Sequence, residues 1–205
     1  RWLRPDYQNP AGITLSLPKR IRLLELALAY EVPVIEDSPY REMSFTGESQ
    51  PSLWSLSGGT GVILMKTLSK MLFPGMRLGW MVAQKEALEK LILLKQSVDL
   101  CSPSFNQLII AQYMREGKMR QTIDRAKSLY SVKKECMVNA LSREMPSGVS
   151  WSNPTGGMFL WVTLPAGYDS AKLLPSAMRE NVLYVTGSSF HCNGGGENTL
   201  RLNYS

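Results

Sequence analysis

The sequence predicts an α/β fold: a mostly parallel sheet with helices, followed by a smaller α+β domain. Three observations lead there. Residues 2–37 read as strand, helix and strand, the βαβ pattern of a parallel sheet. A loop rich in functional groups, Thr67 to Gly79, lies between the apolar runs Gly61–Met65 and Trp80–Val82. Beyond about residue 115 the texture changes, as one long amphipathic pattern gives way to short strands and loops. The expected domains are residues 1–115 and 116–205.

In order, Trp2–Pro5 closes a short strand, and Asp6–Gly12 is a turn cluster containing Asn9-Pro10. Pro18, after Ser16 as cap, opens a helix whose apolar face carries Ile21, Leu24 and Leu28 to about Tyr30. Val32–Ile35 is a buried strand ending in Glu36-Asp37-Ser38-Pro39-Tyr40. Residues 41–60 read mostly as loop, including Phe45–Glu48 and Ser57–Gly59. Strands follow at Val62–Met65 and Leu78–Ala83. Helices follow at Lys85–Val98, from Ser104 to about Arg115, and at Met119–Met145, stopped by Pro146-Ser147-Gly148. The remainder offers strands at Val149–Trp151, Met158–Val162, Val182–Val185 and Thr199–Tyr204, with a helix over Ala171–Glu180.

The composition is that of a globular protein, with 44% hydrophobic and 20% charged residues, and no apolar run reaches the roughly 18 residues of a membrane span. The three cysteines lack metal-ligand spacing, which favours a reducing, cytoplasmic setting and thiols that are buried or incidental. With His191 alone, a Ser-His-Asp triad or a His-rich metal centre has nothing to spare, and no metal is expected. The net charge of +6 is spread over helices such as Lys118–Lys134 and not gathered with aromatics, so neither nucleic acid nor membrane is an expected partner of this segment. The absence of an initial methionine and the abrupt strand at each end suggest a piece of a longer protein.

The loop after the Val62 strand holds the chemistry. Ligands of α/β sheets sit beyond the carboxyl ends of strands. A lysine there, Lys70, can be partly desolvated and its amine freed for attack on an aldehyde. Thr67 and Ser69 offer hydroxyls and Arg77 a planar fork for a phosphate, although Arg77 can equally pair with a carboxylate. Asp37, at the carboxyl end of the preceding strand, is either a turn cap or a carboxylate for a protonated pyridine nitrogen. Glu36 alternates to the other face and is given no role. Tyr40 and Asn9 can reach an oxygen on the same ring, or pack and turn the chain. Arg201, in an apolar strand, needs an anionic partner, and a substrate carboxylate is one candidate. Together these are the requirements of a pyridoxal 5'-phosphate (PLP) site.

Five segments carry a resemblance: Tyr7–Gly12, Val34–Tyr40, Thr67–Lys70 with Pro74–Gly79, Gly156–Trp161, and Thr199–Asn203. In order and spacing they resemble the fold-type I PLP enzymes of the class I and II aminotransferase family. The similarity is greatest to the branch holding 2-aminoadipate and kynurenine aminotransferases, which also includes the aminotransferase-like domains of MocR-type transcription regulators.

The resemblance implies that residues 1–115 are the later part of a large PLP-binding domain and 116–205 an incomplete small one. It implies Lys70 as the catalytic lysine bonded to the cofactor, and Asp37 on the pyridine nitrogen. Asn9 and Tyr40 contact the ring hydroxyl, Thr67, Ser69 and Arg77 the phosphate, and Arg201 and Asn9 the substrate, with Arg201 on its α-carboxylate. The implied activity moves an amino group from an amino acid to a 2-oxo acid, in a homodimer. The alternative is an effector domain of a MocR-type regulator. Family members also use an upstream phosphate loop and a stacking aromatic that these residues do not supply. Thr186 stands where the family often has proline.

Overall fold

The chain is described by a computed structural model over residues 1–47 and 49–205. Glu48, the last residue of the loop expected over Phe45–Glu48, lies outside the described residues. The first sheet has the order β1 (Trp2–Leu3), β2 (Val34–Asp37), β3 (Val62–Thr67), β4 (Gly79–Val82). β1, β2 and β3 run parallel, and β4 returns antiparallel to β3.

Helix α1 (Leu17–Ala29) makes the first crossover. Pro18 starts it, and Ser16 occupies the N-cap position without a side-chain cap bond, so the fixed proline φ does the initiating. It ends on Glu31 in the left-handed region (φ 52°), with the Val32 N–H donating back to the Ala27 carbonyl at 2.8 Å. That closure takes Val32 out of the strand, and Pro33 has no N–H for a ladder. β2 therefore begins at Val34, two residues later than the apolar run suggests, and reaches Asp37.

A one-turn helix, α2 (Leu53–Leu56), forms within residues 41–60, which are expected to be mostly loop. Ser52 caps it by accepting from the Ser55 N–H at 3.0 Å, and Leu53 is buried against Val34 and Val62. One turn is too short to show a helical period.

α3 (Lys85–Asp99), α4 (Ser104–Arg115) and α5 (Lys118–Glu144) follow. α5 links the two halves. Its Ile123 joins Met43, Leu68, Met71 and Ile110 in one apolar cluster, and its Leu141 joins Leu160, Val162, Leu200 and Tyr204 in another. Lys134, expected on a solvated face, is buried and donates to Asn153 Oδ1 at 3.0 Å.

The second sheet is antiparallel: β5 (Ser150–Trp151), β6 (Phe159–Thr163), β8 (Thr199–Asn203) and β7 (Val185–Thr186), in that spatial order. α6 (Ser170–Arg179) is capped by Asp169, which accepts from the Ala171 N–H at 2.9 Å. The strand expected over 182–185 shrinks to Val185–Thr186, because the Val182 N–H is spent on the Ala177 carbonyl closing α6. All three cysteines are free and exposed.

The two sheets meet at a cluster of Tyr7, Tyr40 and Phe159. Gly156 permits that approach. A Cβ there would stand 2.4 Å from Tyr7 Cζ and 2.5 Å from the Met43 carbonyl oxygen.

Candidate active site

Because β1, β2 and β3 are parallel, their carboxyl ends share one edge of the sheet. Beyond that edge lie the Asn9 turn after β1, Asp37 and Tyr40 at the end of β2, and the Thr67–Lys70 segment after β3. Alternation along β2 separates the neighbouring carboxylates. Glu36 is fully buried, and its Oε2 accepts from the Trp54 N–H at 2.9 Å. Asp37 is half-buried, and its Oδ2 accepts from Arg4 Nε at 2.8 Å.

β8 supplies the opposite wall. Arg201 donates from a terminal guanidinium nitrogen to Asn9 Oδ1 at 2.7 Å, a contact between residues 192 positions apart. Its guanidinium lies 4.3 Å from the Phe159 ring centroid and 5.4 Å from that of Phe190. Trp161, opposite Arg201 in the β6–β8 register, packs edge-on against Phe190 at 5.7 Å. Arg201 Nε is buried and has no hydrogen-bond partner among the described residues. Burial lowers the Arg201 pKa from its ordinary value, with Tyr40 acting in the opposite sense.

Tyr40 is buried and meets the Phe159 ring edge-on at 5.8 Å. Burial pushes its phenol pKa up; Arg4 and Arg201 pull it back, and Asp37 adds to the rise. Asn9, Asp37, Tyr40 and Arg201 thus form one electrostatic group reached from both sheets.

The Lys70 segment is pegged by its neighbours. Leu68 and Met71 are buried in the cluster under α5, and a turn joins them, with the Met71 N–H donating to the Leu68 carbonyl at 3.1 Å. Lys70 is left on the outer side of that turn, exposed, and forms no ion pair among the described residues. Thr67 Oγ1 lies 3.2 Å from the Leu78 carbonyl and 3.1 Å from Ser69 Oγ, and accepts from the Ser69 N–H at 3.1 Å. Arg77 is exposed, in the left-handed region at φ 54°, and donates to the Pro74 carbonyl at 3.3 Å. Thr67 and Ser69 are in contact, whereas Lys70 and Arg77 are exposed and form no hydrogen bond or ion pair with another expected site residue among the described residues.

A family model described as aminotransferase class I and II matches residues 6–205. The chain belongs to the class I and II aminotransferase family. Among its relatives is a 2-aminoadipate transaminase of Thermus thermophilus, 42% identical over 207 residues that cover all of this chain and 52% of that protein. Another is aromatic-amino-acid aminotransferase 1 of Thermococcus litoralis, 40% identical over 201 residues, 98% of this chain and 48% of that one. The crystal structure of the Thermus thermophilus α-aminoadipate aminotransferase LysN, complexed with N-(5'-phosphopyridoxyl)-L-leucine, superposes with a TM-score of 0.94 at 42% identity. That match covers 99% of this chain and 53% of LysN. The chain spans about half the length of the curated relatives it matches.

Within this aminotransferase-family fold, three residues beside the site carry no signal along the chain. Phe159 and Phe190 flank Arg201, and Arg4 pairs with Asp37. Phe159 stood in an expected strand, but nothing in a linear pattern says which cation a ring will cover. Arg4 required the β1–β2 register.

Proposed function

We propose that the protein is a PLP-dependent aminotransferase that moves an amino group from an amino acid to a 2-oxo acid. The observation that carries this reading is the Arg201–Asn9 contact. It joins a cation with an unfilled buried donor to the strand edge that bears Asp37, Tyr40 and Lys70. An aminotransferase needs that pairing: an anchor for a carboxylate beside groups that hold an aromatic aldehyde.

The residues fit the cofactor by their donor chemistry. Lys70 supplies an unpaired amine, Asp37 a carboxylate for the pyridine nitrogen, and Asn9 and Tyr40 hydrogen bonds for the ring hydroxyl. Thr67, Ser69 and Arg77 supply two hydroxyls and a guanidinium for the phosphate. When bound, PLP supplies an aldehyde that captures the substrate amine and a ring that withdraws electrons from Cα. Arg201 holds the α-carboxylate through its fork, and its aromatic flanks exclude water from that contact. Lys70 Nζ takes the proton from the substrate Cα and returns it on the other side of the exchange.

The 40–42% identical relatives are aminotransferases by name, which favours catalysis over the regulator reading. We place the domain division near residue 115, and the protein in the cytoplasm as a homodimer. No helix among the described residues is long and apolar enough to cross a membrane.

The test is chemical. Borohydride should fix PLP onto the wild-type protein, and Lys70→Ala should abolish that fixation. Covalent cofactor on the Lys70→Ala protein would falsify the assignment. A panel of amino acids, each followed by the change in cofactor absorbance in a single half-reaction, then identifies the substrate. Light scattering of the full-length protein tests the dimer.

A further inference from the structure

Arg4 stands at the carboxyl end of β1, one step past the Leu3↔Glu36 pairing, and so faces Asp37 on the neighbouring strand. Its Nε donates to Asp37 Oδ2 at 2.8 Å. Alternation puts Trp2 on the same face as Arg4, and the guanidinium lies 4.5 Å from the Trp2 ring centroid. The cation is therefore held at two points, by a ring behind and a carboxylate in front. Its place is the edge where the proposed cofactor residues gather.

We propose that Arg4 is a positioning residue for Asp37: it holds Oδ2, leaves Oδ1 for a cationic ring nitrogen, and shares the carboxylate with that nitrogen. This rests on the proposed PLP reading of Asp37. Of the charged and titratable groups nearby, Arg4 from β1 bonds Asp37, Tyr40 beyond β2 lies within reach of the charges of both, and Arg201 from β8 acts on Tyr40. Arg4 is the one among them in direct contact with the carboxylate. The consequence follows from like charges. A guanidinium sharing the carboxylate makes protonation of the ring nitrogen less favourable than Asp37 alone would make it. The ring is then a milder electron sink than an unshared carboxylate would produce.

The experiment loads the full-length protein with PLP labelled with 15N in the ring and follows the nitrogen resonance against pH. Arg4→Leu should raise the midpoint for ring-nitrogen protonation by about one unit, since a neighbouring cation is removed. Arg4→Lys keeps the charge and should stay within a few tenths of wild type, on the order expected for a retained charge. Melting of the cofactor-free Arg4→Leu protein should move by no more than about 4 °C, the scale expected when a single part-buried ion pair is lost. Asp37→Ala is the control and should lower the midpoint. If Asp37→Ala lowers it and Arg4→Leu leaves it at the wild-type value, the proposal for Arg4 is overturned and the reading of Asp37 survives. If Arg4→Lys shifts it as far as Arg4→Leu, charge sharing is likewise overturned. If Asp37→Ala has no effect, the reading of Asp37 falls and the role of Arg4 with it.

Discussion

Two arginines behave in opposite ways in this chain, and the contrast separates structural charge from charge available to a ligand. Arg20, on α1 behind the first sheet, is fully buried and satisfied. Its Nε donates to the Leu15 carbonyl at 2.8 Å, and its terminal nitrogens donate to Pro51 and Pro5 carbonyls at 3.0 and 3.2 Å and to Asp6 Oδ1. Arg201, in front of the sheet, is half-buried between two rings, bonded to Asn9, with Nε left over. A buried guanidinium with a partner on every nitrogen ties chain segments together. One with a spare buried donor is poised for an anion.

The largest effect expected from this contrast is on stability at Arg20. Arg20→Met leaves Asp6 buried without its partner and takes a donor from the Leu15 and Pro51 carbonyls, and should cost about 3–5 kcal/mol in urea unfolding. A normal unfolding midpoint for that variant would break the comparison. Next comes Arg201→Lys, which should unfold within about 1 kcal/mol of wild type. It should raise KM for amino acids about 10- to 100-fold, as expected for charge-assisted hydrogen bonds lost from a fork. A large fall in stability without a change in KM would make Arg201 a second Arg20.

The smallest effect concerns Glu36, near Asp6 and Arg20. Burial raises its pKa above the ordinary carboxylate value, outweighing the lowering effect of the Trp54 N–H. A group raised in the folded state contributes stability below its unfolded pKa and loses that contribution as pH rises through the folded value. Wild-type stability should therefore decline from mildly acid to neutral pH relative to Glu36→Gln, whose profile should be flatter. Parallel profiles for the two proteins in thermal melts would show that Glu36 does not titrate in that range.

Much of the fold was legible because its signals are local. Pro18 and the 3.6-residue apolar period mark α1, and Pro146-Ser147-Gly148 marks the end of α5. Where the reading slipped, a long-range or capping bond had claimed the residue. Val32 and Val182 look like strand residues by composition, but each donates its N–H to close a preceding helix. α2 owes its burial to Val34 and Val62, which come from other elements. The cysteines show the converse. Their type suggested burial as one possibility, but the fold leaves all three in solvent.

By itself the sequence determined the α/β class, the order of the elements and the residue types that make a lysine, carboxylate and arginine set unusual. These follow from chain-local physics: side-chain period, proline and glycine geometry, and the chemistry of individual groups. Tertiary structure alone decided that Arg201 meets Asn9, that Phe159 and Phe190 flank it, and that Arg4 stands on Asp37. It decided too that Arg20 is used up while Arg201 is not. Those outcomes depend on strand register and on two sheets closing over Gly156, and no pattern along the chain encodes which donors will still be unfilled once that closure is made.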